Sequence, residues 1–285
     1  MLNYKYYYTL QMATLRTIDI EGKCVKLAQH DIMTLNTSTM FNGQKLLHPF
    51  VTKTITKEIT KQGKGNKQII QTVTDMVYTP EITPDALYDL QHAVRFDMKH
   101  DGSCGFLLWD VDKKEFIPYA RYDVKKQNST FPDVPKDGIP CESMPTDPDA
   151  THWPHFVPCS SKPKDYKWYL HAFEQAKKSG KLDRLSNSFT VEYMGKKFNY
   201  KPCDGVEQDA VIVPHGLVTL DIPVELRTYD GFKKIMEAFP FMEGIIIRGK
   251  EKLWKVRREL FSNEDIKLKW PSGSTEKISE LVMFA

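Results

Sequence analysis

A chain of 285 residues is long enough to bury a sizeable core, as one large domain or as one domain with a smaller appendage. Its 41% hydrophobic and 12% aromatic content excludes wholesale disorder. With 40 basic against 37 acidic residues the net charge is only +3, which excludes a bulk polycation, so any nucleic-acid contact has to come from locally clustered charge.

Five cysteines (Cys24, Cys104, Cys141, Cys159 and Cys203) are odd in number, widely spaced and free of any Cys-x-x-Cys pair. That pattern argues against a disulfide framework or a zinc ribbon and fits a reducing compartment. The first twenty residues, MLNYKYYYTLQMATLRTIDI, lack the uninterrupted apolar core of a signal peptide, and no run elsewhere approaches a membrane span. The expectation is a soluble intracellular protein, cytoplasmic or nuclear.

Taken in chain order, residues 51–60 and 69–74 are rich in Thr, Ile and Lys, and Gly63-Lys64-Gly65-Asn66 lies between them. Two β-prone runs around a Gly/Asn turn predict a hairpin. Lys53, Lys57, Lys61, Lys64 and Lys67 make this ribbon basic. It would either grip a phosphate backbone or, as the plainer account, stand in solvent with lysines that discourage edge pairing. Tyr78-Thr79-Pro80 and Thr83-Pro84 predict a linker. That divides the chain into a β-rich extension over 1–80 and a main domain over 81–285.

Residues 94–98 predict a short strand entering a turn at Lys99, and 105–109 the strand leaving it. The stretch 131–163 carries many prolines and reads as a long surface excursion. Within it His152, His155 and Cys159 lack a fourth ligand at diagnostic spacing and read as loop and packing residues. Tyr169, Ala172, Phe173 and Ala176 fall at helical spacing, predicting a helix over 165–178 that stops at Gly180. Strands follow over 189–193 and 210–213. Asp230 would cap a short helix carrying Phe232, Ile235, Met236 and Phe239, ended by Pro240. Strands over 244–248 and 253–257 close the series. Short strands interrupted by helices without regular βαβ alternation predict an α+β fold of mainly antiparallel sheets.

Three stretches carry chemistry. Lys99-His100-Asp101-Gly102-Ser103 is by itself a polar turn. Followed by Glu243-Gly244-Ile245-Ile246-Ile247 and Lys255-Val256-Arg257, it supplies an amine nucleophile, a metal-binding carboxylate and two phosphate-clamping cations. A free lysine, with a pKa of about 10.4, is protonated at neutral pH. An activating site would therefore crowd it with cations or desolvate it, and Lys255 and Arg257 suit that task. These two alternate along a strand and face one way while Val256 faces the other. Glu243 precedes an apolar strand and offers a hard oxygen ligand for Mg²⁺ or Mn²⁺, and Asp101 is a turn former or a water-mediated metal contact. Each residue also has a plain reading, as a half-exposed basic strand or a solvent-facing acid.

The ordered set Lys99-x-Asp101-Gly102, Glu192 within Val191-Glu192-Tyr193-Met194-Gly195, Glu243-Gly244-Ile245-Ile246-Ile247 and Lys255-Val256-Arg257 resembles motifs I, III, IV and V of the covalent nucleotidyltransferases. Arg121, in Tyr119-Ala120-Arg121-Tyr122-Asp123, falls where motif Ia carries an arginine. The matches cover about residues 94 to 260. His152-Trp153-Pro154-His155-Phe156-Val157-Pro158 and Lys164-Asp165-Tyr166-Lys167-Trp168 further resemble the RNA ligase 1 family typified by the vertebrate 5′-to-3′ RNA ligase. Residues 1–80 have no counterpart in that resemblance.

The resemblance implies an adenylation domain of the nucleotidyltransferase fold that consumes ATP with Mg²⁺ or Mn²⁺ and joins RNA 5′-phosphate and 3′-hydroxyl ends as a monomer. Lys99 would attack the α-phosphate and carry AMP, which passes to the RNA 5′-phosphate and is displaced by a 3′-hydroxyl. Glu192 would contact the ribose, and Arg121 the nucleotide or the RNA 5′-phosphate. Glu243 would serve the metal and orient Lys99, Asp101 would assist at the metal, and Lys255 and Arg257 would clamp phosphate. Phe96 and Met98 would line the base pocket, with Phe198 and Tyr200 as candidates to stack on adenine. Arg257 stands where motif V usually has lysine, which keeps the charge but changes the donor fork. A capping guanylyltransferase or a DNA ligase shares the nucleophile but carries a further oligonucleotide-binding domain. Only 28 residues follow Arg257, too few for a five-stranded barrel. A silent RNA-binding relative would show decay at the nucleophile, the metal acid or the clamp, and none is visible.

Overall fold

The computed structural model describes residues 13–30, 43, 45–62, 68–198, 209–250, 252–263 and 266–267. In order these include β1 (Ala13–Ile20), β2 (Lys23–Gln29), β3 (Phe50–Gln62), β4 (Gln68–Ile82), α1 (Pro84–Gln91), β5 (Arg95–Lys99), β6 (Ser103–Asp110) and β7 (Glu115–Lys125). There follow β8 (Ile139–Pro140), β9 (His152–Pro158), α2 (Lys167–Lys178), β10 (Phe189–Met194), β11 (Val211–Pro214), β12 (Val218–Asp221), α3 (Tyr229–Ala238), β13 (Gly244–Arg248) and β14 (Leu253–Arg257). Two six-stranded sheets dominate, ordered β1-β2-β12-β5-β13-β14 and β11-β10-β6-β7-β9-β8. Their strand pairings are antiparallel, the α+β organisation expected.

Strand parity builds the cores. In the first sheet Met98 lies opposite Ile245 and Phe96 opposite Ile247. These four pack with Trp254, Val256, Leu90 of α1 and Phe232, Ile235 and Met236 of α3. Burying each such side chain contributes about 1.5–3 kcal/mol. In the second sheet Leu107, Phe116, Phe189, Val191 and Ile212 receive Ala172, Phe173 and Ala176 of α2. The apolar faces of both helices are the ones the 3.6-residue spacing predicts. The cap of α3 differs from expectation: the Thr228 side chain accepts from the backbone N–H of Gly231 at 3.2 Å, and Asp230 lies inside the first turn. There an acid still favours the positive end of the helix dipole.

The ribbon of β3 and β4 pairs from Thr52↔Tyr78 through Gln62↔Gln68. Its turn at Gly63-Lys64-Gly65-Asn66 and Lys67 lie outside the described residues, as do the side chains of Lys57 and Lys61, and Tyr200 and Cys203. The linker expected at Tyr78-Thr79-Pro80 is strand: these residues belong to β4, and Tyr78 is 2% exposed in the first core. Pro80 falls where the register slips between Phe50↔Ile82 and Thr52↔Tyr78, and an irregularity is where a strand tolerates proline. Pro84, read as further punctuation, sits in the first turn of α1, where proline's missing N–H costs nothing. Residues before position 80 also complete the first sheet, because β2 pairs with β12 from Gln29↔Val218 to Lys26↔Asp221.

The proline-rich excursion likewise contains structure. β9 pairs with β7 along its whole length, and Phe156 and Val157 are buried. His155 is a packing residue, its Nδ1 at 3.1 Å from the Trp153 carbonyl, and among the described residues no three His, Cys, Asp or Glu side chains gather to hold a metal. The four described cysteines are free thiols. No helix among the described residues is long and apolar enough to cross a membrane.

Candidate active site

Lys99 ends β5 in the first sheet and Ser103 begins β6 in the second, so the His100-Asp101-Gly102 turn joins the two sheets. The turn can lie this close because position 102 has no side chain. A Cβ there would collide with the Tyr193 carbonyl oxygen and press on Cγ of Glu192. Between the sheets at this joint is a cleft of about 500 Å³.

The first sheet supplies Asp97, Lys99, Glu243, Ile246, Arg248, Lys255 and Arg257 to the cleft. Register explains the set: Lys99 and Arg257 both lie opposite Gly244, and Asp97 and Lys255 both lie opposite Ile246. One face of three strands therefore carries Asp97, Lys99, Arg248, Lys255 and Arg257, Glu243 joins them from just before β13, and Val256 points into the core behind them. Gly244 keeps the lane between Lys99 and Arg257 clear, and a Cβ there would strike the Val256 carbonyl. The second sheet contributes Cys104, Arg121 and Glu192, with His215 and Gly216 from the β11–β12 turn, Tyr169 from α2 and Lys45 from the segment before β3.

Glu243 organises the centre. It is 6% exposed, its Oε2 accepts from the Lys99 ammonium, and its Oε1 lies 3.6 Å from Nε of Arg257. Burial by itself would lower the Lys99 amine, but the carboxylates of Glu243 and Glu192 outweigh burial and hold it above its ordinary value. Lys99 is thus kept as an ammonium, contrary to the expectation that crowding by Lys255 and Arg257 would neutralise it. Burial also pushes the Glu243 carboxyl up, even beside that ammonium. The depressed amine is Lys255: burial, then Arg257, Lys99, Arg121 and Lys45, bring it down to about 8.

Across the cleft, Oε2 of Glu192 is 2.9 Å from Nε2 of His215. Nε of Arg121 donates to Oδ1 of Asp123 at 3.0 Å. Asp101 lines the cleft and acts electrostatically on Glu243. Of the residues expected at a base pocket, Phe96 is a core residue on the opposite face of β5 from Lys99. Met98 shares that buried face, although it also borders the cleft wall. Alternation is the reason, since odd-numbered residues of β5 face the cleft and even-numbered ones the core. Phe198 stands behind Tyr169 at 4.7 Å between ring centroids, and Tyr169 is the aromatic among the described residues that lines the cleft.

Several cleft residues are not among those the sequence motifs single out. Asp97 accepts from Nε of Arg95 at 2.6 Å and from Nε of Arg248 at 2.5 Å. Parity with Lys99 is the signal that points to Asp97. His100 and His215 sit in turns, where no periodicity exists to read. Lys45 reaches the cleft because Leu47 bridges Trp254 and its carbonyl accepts from the Lys255 N–H at 2.8 Å, a nonlocal contact.

For a divalent cation, Glu243 and Asp101 offer hard oxygen donors. Mg²⁺ characteristically takes one or two carboxylates and completes its shell with water and substrate phosphate. Two acids beside Lys255 and Arg257 fit an ion that arrives with a phosphate ligand rather than one caged by protein. No family model, curated protein or solved structure matches this chain.

Proposed function

We propose that the cleft is the adenylation centre of an ATP-dependent RNA ligase of the covalent nucleotidyltransferase type, its domain including β1 and β2 from before position 80 as well as residues 81–285. The observation that carries the reading is convergence. Lys99, Arg121, Glu192, Glu243, Lys255 and Arg257, spread over more than half the chain, meet around one cleft, with Lys99 on Glu243 and cations beside it.

In this mechanism ATP is the first substrate. Lys99 Nζ attacks the α-phosphorus, the N–P bond forms, and the bond to the pyrophosphate oxygen breaks. The amine must first lose a proton, and Oε2 of Glu243, already its partner and raised by burial, is positioned to accept it. Lys255, Arg257 and Arg121 oppose the charge that grows on the phosphate oxygens. Mg²⁺ or Mn²⁺, held by Glu243 and Asp101, would screen the triphosphate. AMP then passes to an RNA 5′-phosphate, and a 3′-hydroxyl displaces it to seal the strand.

Incubation with Mg²⁺ and α-labelled ATP tests the reading. The protein should gain acid-labile, alkali-stable label, lost in Lys99→Ala, and should join RNA bearing 5′-phosphate and 3′-hydroxyl ends. Label retained by Lys99→Ala would sink the mechanism. Label from GTP but not ATP would make the protein a guanylyltransferase instead.

A further inference from the structure

His100 is 3% exposed and neither of its ring nitrogens has a hydrogen-bond partner among the described residues, although it lines the cleft beside the nucleophile. Buried polar atoms in folded proteins are almost always satisfied, so two on one ring point to a group supplied from outside. The wall around it is specific. Glu192 and His215 are paired at 2.9 Å, and the bare Gly102 lets the His100 turn press against Glu192.

The charge of the cleft divides its tasks. Arg257, Arg121 and Lys45 act electrostatically on Lys255, and this cluster of cations favours phosphate. Near the Glu192 carboxylate a phosphate would be repelled. The His100 ring offers two polar nitrogens and the carboxylate two acceptor oxygens. Sugar hydroxyls, uncharged and able both to give and to accept, match that set. In a lysyl-AMP adduct the ribose is joined through its 5′-oxygen to the phosphorus on Lys99, and His100 is the next residue of the chain.

We propose that His100, acting with Glu192, binds the ribose hydroxyls of the nucleotide and makes the cleft select ribonucleotides over 2′-deoxyribonucleotides. This rests on the adenylation reading and adds the residue that sets sugar specificity.

The test is the rate of self-adenylylation with ATP and 2′-deoxy-ATP. Wild type should prefer ATP by about tenfold or more. His100→Leu should lose about that factor with ATP and little with 2′-deoxy-ATP, so the preference collapses, and His100→Asn should restore part of it. Equal use of both nucleotides by wild type overturns the proposal whatever the variants do, which keeps it testable if His100→Leu does not fold. A preference that survives in folded His100→Leu overturns it while leaving the adenylation reading intact. No label from ATP in wild type removes both.

Discussion

The hydroxyl of Tyr78 accepts a hydrogen bond from the backbone N–H of Arg257 at 3.1 Å, tying the base of the β3–β4 ribbon to the strand that carries the cleft cations. The same hydroxyl donates to the Lys255 carbonyl at 3.3 Å, and Nδ1 of His48 lies 2.6 Å from it. β14 is the last strand of its sheet, and its outer edge would otherwise present open backbone groups. Tyr78→Phe keeps the ring and removes these bonds. It should cost about 1–2 kcal/mol, seen as a fall of a few degrees in Tm, and should weaken nucleotide binding several-fold. An unchanged Tm would show that the edge holds without Tyr78.

His48 adds a pH dependence to the same joint. Burial, with Lys255 and Arg257 nearby, pushes its imidazole from the ordinary 6.5 down to about 4. The unfolded chain therefore takes up a proton near pH 6.5 that the folded chain resists until about pH 4. Its contribution is fully present above pH 6.5 and is lost as the pH falls toward 4, amounting to about 2 kcal/mol after allowance for partial exposure. Urea denaturation at pH 7 and pH 4.5 should show a smaller acid loss in His48→Gln than in wild type. Equal losses would count against it.

The Lys99–Glu243 pair makes an opposite-signed prediction for two readouts. In Glu243→Gln the nearer of the two carboxylates that hold the Lys99 proton is gone, leaving Glu192 alone against burial and Arg257, so the amine falls. At pH 7.5 Lys99 should react several-fold faster with an amine-acylating reagent, followed by mass spectrometry, while adenylylation with ATP falls by about a hundredfold or more. If acylation of Lys99 is not accelerated, Glu243 is not what keeps the amine protonated.

Strand parity makes much of this site legible in the amino-acid sequence. Lys255 and Arg257 around an inward Val256 follow from a period of two, whereas Glu243 has the parity of the core residues Ile245 and Ile247 and stands in the cleft from just before β13. The same rule applied to β5 sends Phe96 to the core, where the family resemblance points it to the base pocket, and brings Asp97 to the cleft, while Met98 packs in the core and still borders the cleft wall. Pro80 and Pro84 are poor boundary markers here because proline marks a break only where its missing N–H is needed, and a register irregularity and a first helical turn do not need it. Lys45 carries no local signal, since its position depends on a bridge between Leu47 and Trp254, 207 residues apart along the chain. The family resemblance implies that Glu243 meets Lys99, but not that the pair keeps the amine protonated, because that depends on how both groups are buried.

Lys255 should set the upper pH limit of phosphate binding. Its ammonium is pushed down to about 8 by burial and by neighbouring cations, and it makes no ion pair with a described residue. Below pH 8 it is charged and attracts phosphate, and above pH 8 the empty cleft loses that charge, so binding must spend free energy on taking up a proton. Affinity for α,β-methylene-ATP, which blocks turnover while leaving Lys99 in place, measured by calorimetry, should fall about tenfold between pH 7.5 and 9.5. Lys255→Arg supplies a cation that does not titrate in this range and should flatten the profile to within about threefold. The sign excludes the alternative in which Lys255 is merely a solvated strand lysine. Such a residue would titrate near its ordinary value of about 10.4, and the lysine and arginine proteins would then keep parallel affinity profiles up to about pH 9.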